Sequence, residues 1–158
     1  FDSELAEKQH RFHVRMLIML HKMVATTDTI MVNELAMSMF GGHGLMEDFS
    51  SIPRLYRDAV TLGGAWEGPK NLLLTRIFMD IQAAVSWYSA DEFIGNLLIG
   101  ASTEQVSDLS TRLKVFLDHG TLLGTDDKTI EMCENWEQYC FDLMHAYQDV
   151  SHAEVKNS

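Results

Sequence analysis

The chain has 158 residues, enough for one domain around one core, and 46% of them are apolar and 22% charged, the balance of an ordinary globular protein. A net charge of −11 argues against a surface built to bind nucleic acid, which relies on Lys and Arg to neutralise phosphates. No apolar run reaches the roughly 18 residues of a membrane span, and the opening FDSELAEK is too polar for a signal peptide.

The two prolines, the absence of Pro and Gly from the first 40 residues and the ten methionines predict an all-α bundle rather than a sheet protein. Residues 13–40 read as one long helix, with Leu17, Leu20, Val24, Thr27, Met31 and Leu35 at helical spacing; residues 1–12 read as the tail of an earlier helix or a frayed lead-in. Gly41 and Gly42 end that helix. Residues 41–68 then form a long connection containing GGHG, Pro53 and a second Gly pair at 63–64, with a short helical turn expected over Pro53–Asp58. A connection of that length inside a small domain is the natural place to look for a site.

Pro69 opens a second long helix with the apolar stripe Leu72, Leu73, Ile77, Ile81, Ala84, Val85 and Tyr88. A short helix follows over residues 91–99. A fourth runs from Thr103, its N-cap candidate, to His119, with Val106, Leu109, Leu113, Phe116 and Leu117 inward. The last spans Asp126 to about His152, with Ile130, Cys133, Trp136, Cys140, Met144 and Tyr147 facing in, and AEVKNS is expected to fray. Cys133 and Cys140 share a face of this helix but stand about 10 Å apart along its axis. That is too far for a disulfide, so both read as free, buried thiols in a reducing compartment.

Charge is uneven along the chain. Segment 53–76 carries Arg54, Arg57, Lys70 and Arg76 against Asp58 and Glu67, a positive island in an acidic chain. It overlaps the block AMSMFGGHGLMEDFSSIPRLYRDAVTLGGAWEGPKN, Ala36 to Asn71. In order, the block presents Gly41–Gly42, Gly44–Leu45, Glu47, Pro53, Leu55–Tyr56–Arg57–Asp58 and Trp66–Glu67–Gly68. This ordered set resembles the C-terminal helical domain of the acyl-CoA dehydrogenases, which implies an up-down four-helix-type bundle. The resemblance extends more weakly along residues 14–40 and 69–88 and fades beyond residue 90.

The resemblance implies an oxidoreductase that desaturates acyl-CoA thioesters, as in fatty acid β-oxidation, with FAD as cofactor. Glu67 matches the family's base, which removes the α-proton, and its backbone N–H would help to hold the thioester carbonyl. Trp66 and Gly68 are then substrate-binding. Ser38, Gly41, Gly42, Gly68, Pro69 and Asn71 fall at positions that approach the cofactor. A base for a carbon acid needs a raised pKa; the apolar setting of Ala65, Trp66 and Gly68 would raise it, and a helix start at Pro69 would oppose this.

The resemblance also implies partners: an acyl-CoA, an electron-transfer acceptor, a second or fourth copy in a homodimer or homotetramer, and an N-terminal helical and a middle β domain. The chain, residues 1–158, is then a fragment, inactive alone, of a cytoplasmic or mitochondrial-matrix protein. Ser38 replaces the family's usual Gln, Pro69 its usual Thr, and the segment holding Gly63–Gly64 is two residues longer than in the best-known members. Two alternatives stay open: a nonenzymatic, DNA-binding flavoprotein of the same superfamily, against which the acidic charge argues, and a helical interaction or oligomerisation module that lost the chemistry, for which Ser38 and Pro69 are the best support. The remaining candidates read as structural. Arg57 and Asp58 form a pair that pins the connection, His43 is an exposed loop residue, and His10, His13 and His21 are too irregularly spaced for a metal, so none is expected.

Overall fold

The computed structural model describes residues 2–63 and 69–157. Every regular element among them is helical: α1 (Asp2–Met39), a 3-10 turn (Gly41–Leu45), α2 (Ile52–Asp58), a π-helical turn (Ala59–Gly63), α3 (Lys70–Ala84), α4 (Ala90–Leu97), α5 (Thr103–His119) and α6 (Asp127–Asn157). This is the all-α class that the sequence predicts. The chain forms two compact units, Phe1–Leu20 with Leu74–Ser158, and His21–Leu73.

The first unit is built on aromatic packing. Trp136 of α6 is buried, its ring 5.4 Å from Phe78 of α3, 5.1 Å from Phe116 of α5 and 5.3 Å from Tyr139. Its Nε1–H donates to the Leu74 carbonyl at 3.0 Å, so the large apolar body is buried without stranding its polar edge. Leu109, Leu113 and Phe116 on α5, and Trp136, Tyr139, Cys140, Leu143 and Met144 on α6, recur every three or four residues and form one buried stripe on each helix. α4 packs on α5, and α5 on α6. A second aromatic cluster ties α1 to the α3–α4 turn: Phe12 lies 5.4 Å from Phe93 and 5.7 Å from Trp87, and the Lys8 ammonium sits 3.8 Å above the Trp87 ring.

Helix ends follow local chemistry. Ser89 and Glu92 form a reciprocal capping box at α4. Ser102, not Thr103, caps α5 by accepting the Gln105 N–H at 3.2 Å, so the expected cap was one residue late. Gly120 ends α5 with φ +84°, a left-handed conformation that suits glycine. Asp126 caps α6, accepting the Thr129 N–H at 3.0 Å. Those hydrogen bonds from Thr129 hold its carboxyl below the usual carboxylate range.

Other boundaries and faces also differ from expectation. α1 is one helix from Asp2, not a lead-in followed by a helix at residue 13, because Lys8 and Phe12 anchor its first turns on distant rings. α6 continues to Asn157 rather than fraying near residue 152. Leu72, Val85 and Ile130 are exposed rather than inward. Both cysteines are free; Cys140 is buried and Cys133 half-buried.

In the second unit Met23 and Val24 are buried, but the apolar stripe expected to continue inward does not: Met31 is 60% exposed and Leu35 67%. Helical periodicity marks a face without saying what covers it.

Candidate functional site

The candidate site is built on the segment where α1 ends. Ser38 stands exposed on the last turn of α1, and its hydroxyl donates to the Glu34 carbonyl at 3.0 Å. The Phe40 N–H still reaches back to the Met37 carbonyl, at 3.2 Å. The helix then breaks at Gly41, whose φ of +54° a residue with a Cβ rarely adopts. A Cβ added at Gly41 or Gly42 would meet nothing within 4 Å, so both present bare backbone to open space.

Gly44 is the opposite case. It is buried, and an added Cβ would lie 2.2 Å from the Met37 carbonyl oxygen. The 3-10 turn is thus folded back against the end of α1, and only glycine permits that approach. Sequence reasoning missed this role, because nothing in GGHG distinguishes the glycine that packs from those that face outward.

Beyond the turn, His43 is exposed, as expected, with its ring 4.5 Å from that of Phe49. Glu47 and Arg57 close the connection through a 2.9 Å ion pair, while the Arg57–Asp58 distance is 3.7 Å. The expected pairing of Arg57 with its neighbour is therefore secondary to one spanning ten residues. Both Arg57 and Glu47 are half exposed, so the pair contributes at most about 1 kcal/mol and chiefly sets geometry. Pro53 sits in the first turn of α2, as expected. After Asp58 the chain continues into the π-helical turn, with the Thr61 hydroxyl donating to the Arg57 carbonyl at 2.7 Å.

Trp66, Glu67 and Gly68 lie outside the described residues. The chain re-enters at Pro69, which stands just before α3 rather than inside it. Its carbonyl accepts from the N–H groups of Leu72 at 2.9 Å and Leu73 at 3.2 Å. Pro69 and Asn71 are exposed. Ser38, Gly41, Gly42, Pro69 and Asn71 thus all belong to the unit His21–Leu73 and all reach its surface.

The surface around them is apolar. Val32, Leu35, Met39 and Phe40 at the end of α1, Leu45 and Phe49 beyond it, and Leu55 on α2 are each more than half exposed. So many large apolar side chains exposed within one segment are the pattern of a surface that another molecule covers. An open groove of about 270 Å³ runs along Lys22, Ala25, Thr26 and Thr29 of α1 and Ala59. This is below the roughly 300–1,000 Å³ that enclose a typical organic ligand, so a cofactor with a thioester substrate would need further walls.

The residues present fit a bulky planar cofactor at one edge: a bare diglycine, an exposed hydroxyl at Ser38 with free lone pairs, and cations at Arg54, Arg57 and Lys70 nearby in sequence. Among the described residues no three His, Cys, Asp or Glu side chains gather as a metal site. No helix among them is long and apolar enough to cross a membrane.

Comparison with known proteins places these features. No curated protein and no solved structure matches the chain. Residues 3–82 match the family model described as acyl-CoA dehydrogenase, C-terminal domain. That range is half of the chain and runs through the diglycine break, the connection and most of α3, and the chain therefore belongs to the acyl-CoA dehydrogenase C-terminal domain family.

Proposed function

We propose that this chain is the C-terminal domain of an FAD-dependent acyl-CoA dehydrogenase and that it supplies the catalytic base, Glu67. The observation that carries the reading is the family match across residues 3–82, which spans the ordered run from Gly41–Gly42 to Trp66–Glu67–Gly68.

Glu67 removes a proton from the α-carbon of the acyl thioester, and its backbone N–H donates to the thioester carbonyl, where negative charge develops as that proton leaves. Bound FAD supplies the acceptor for the β-hydride. Gly41, Gly42, Ser38, Gly68, Pro69 and Asn71 border the cofactor, and Trp66 with Gly68 borders the substrate. The product is a trans-2-enoyl-CoA. An electron-transfer partner reoxidises the protein.

The exposed apolar side chains from Val32 to Leu55 support an assembly in which further polypeptide covers this unit: an N-terminal helical domain and a middle β domain of the same protein, and a second copy in a dimer or tetramer. The remaining walls of a site that one groove of about 270 Å³ cannot enclose come from those neighbours.

The test is Glu67→Gln in the full-length protein that carries this domain. Solvent exchange of the α-proton should fall by about a hundred- to ten-thousandfold, the worth of a positioned base. Flavin absorbance should be unchanged. Retained exchange removes Glu67 from the mechanism.

A second reading keeps the fold and interfaces without the chemistry. Two observations favour it: the Ser38 hydroxyl is turned back onto the Glu34 carbonyl, and Pro69 has no N–H to offer a ligand. A colourless full-length protein decides for that reading. The net charge of −11 weighs against the DNA-binding branch of the superfamily, and a mobility shift at physiological salt would reverse that judgement.

A further inference from the structure

A chain of three polar side chains is set into the aromatic cluster of the first unit. Asn96 Nδ2 of α4 donates to the Tyr88 hydroxyl at 2.9 Å, and that hydroxyl lies 2.8 Å from Nε2 of His13 on α1. Tyr88 is buried and His13 half-buried, its ring 5.6 Å from Tyr88 and 5.7 Å from Phe93. With Asn96 donating into the phenol oxygen, the arrangement that also gives the phenol proton a partner directs it at His13, whose Nε2 is then an unprotonated acceptor.

A protonated His13 has no lone pair. Its Nε2–H then donates to the Tyr88 oxygen, and the Tyr88 O–H, which can no longer point at His13, donates to a new acceptor. That acceptor is Asn96 Oδ1, once the amide has turned by half a revolution. We propose that His13, Tyr88 and Asn96 form a proton-operated latch. With His13 neutral it fastens the N-terminal half of α1 to the α3–α4 turn and α4; protonation reverses the chain and loosens that end of α1.

The surroundings bias the latch toward its closed state. Burial first, and then the charge of His10 one turn earlier, hold the His13 pKa below 6.5. Burial above all, together with Glu92, keeps Tyr88 a protonated phenol, against the opposing pull of the Asn96 hydrogen bond. The other charged groups are already engaged: Lys8 lies over Trp87, Arg15 pairs with Asp80 of α3 at 2.8 Å, and Glu92 is held by the Ser89 hydroxyl and N–H. None of these pairings places a carboxylate on the imidazole. A histidine with a lowered folded pKa contributes stability that is complete above its unfolded pKa of about 6.5 and is lost as pH falls below that value toward the folded pKa.

The experiment is an NMR titration of the histidines of the full chain between pH 8 and 5, with thermal unfolding over the same range. His13 is expected to titrate below the exposed histidines, and wild type to lose more stability on acidification than His13→Gln. Asn96→Asp supplies an acceptor and no donor, so it should raise the His13 midpoint by more than one unit. In a Tyr88→Phe background that rise should shrink by more than half, because the charge remains but the relay is cut. A His13 midpoint at or above that of the exposed histidines overturns the proposal. So does an Asn96→Asp effect that is absent or that survives intact without the Tyr88 hydroxyl. These readouts come from folded protein, so they decide the matter even if His13→Gln fails to fold.

Discussion

Replacing Gly44 by alanine tests the geometry of the diglycine break most directly. The new Cβ would stand 2.2 Å from the Met37 carbonyl oxygen and 2.9 Å from the Met37 carbonyl carbon and Cα. Relief needs a movement of about 1 Å, and the obstacles are backbone atoms of α1, which no rotamer change can clear. Overpacking a closed position typically costs about 1–3 kcal/mol, and a backbone obstacle puts this case at about 3. For a chain of this size that corresponds to a fall in Tm of roughly 6–12 °C. Gly42→Ala is the control: its Cβ meets nothing within 4 Å, so stability should stay within about 0.5 kcal/mol of wild type. In the full-length protein the ranking reverses for flavin content, which Gly42→Ala should lower because the methyl enters the space proposed for the cofactor. Urea unfolding followed by circular dichroism, with flavin absorbance, separates the two effects. Equal urea midpoints for Gly44→Ala and wild type would refute the close packing of the 3-10 turn on α1.

Three substitutions probe the first unit. Trp136→Ala should cost about 3–5 kcal/mol in urea unfolding, since it removes a fully buried ring and the hydrogen bond that its N–H makes to the Leu74 carbonyl. Ser102→Ala should cost about 1 kcal/mol and Thr103→Ala almost nothing, a comparison of two unfolding midpoints that checks which residue caps α5. The Tyr139 hydroxyl is buried with no hydrogen-bond partner among the described residues, and burial holds its pKa well above 10. Tyr139→Phe should therefore leave Tm unchanged or raise it, the gain being up to about 1 kcal/mol, while keeping the ring under Arg112.

Legibility divided along physical lines. Local signals were readable: glycines that break α1, Pro53 in the first turn of α2, the start of α3 beside Pro69, and the three-and-four spacing that buries Leu109, Leu113 and Phe116. What failed depended on distant partners. The first turns of α1 are fastened by Lys8 on Trp87 and Phe12 on Phe93, pairs separated by about eighty residues, and no local pattern announces them. Arg57 was assigned its sequence neighbour Asp58, whereas the closer partner is Glu47 across the connection. Met31 and Leu35 share the periodicity of Leu20 and Val24 but not their burial. Glu67, the proposed base, is singled out by an ordered motif alone and lies outside the described residues.

The distribution of charge explains why the two parts of the sequence would play different roles. Residues 90–158 hold thirteen of the 23 carboxylates and only four of the 12 Lys and Arg side chains. A surface so charged repels FAD and CoA, both polyanions, so α4, α5 and α6 are poor candidates for contact with either. Residues 1–89 hold ten carboxylates against eight cations, near neutrality, and within them Arg54, Arg57, Lys70 and Arg76 cluster around the motif. The same near-neutral stretch contains the family match and the exposed apolar side chains from Val32 to Leu55. Three independent features, charge, motif and uncovered apolar surface, therefore converge on one part of the chain. The acidic part instead carries the Trp136 core and, through Phe93 and through Asn96 on the Tyr88 hydroxyl, helps to support the start of α1. If that division is right, neutralising Glu131, Glu134 and Glu154 together should leave flavin content and α-proton exchange of the full-length protein unchanged. Reversing Arg54 and Arg57 to Glu should lower flavin content, and unchanged flavin content in that variant would sever the link between the positive island and the cofactor.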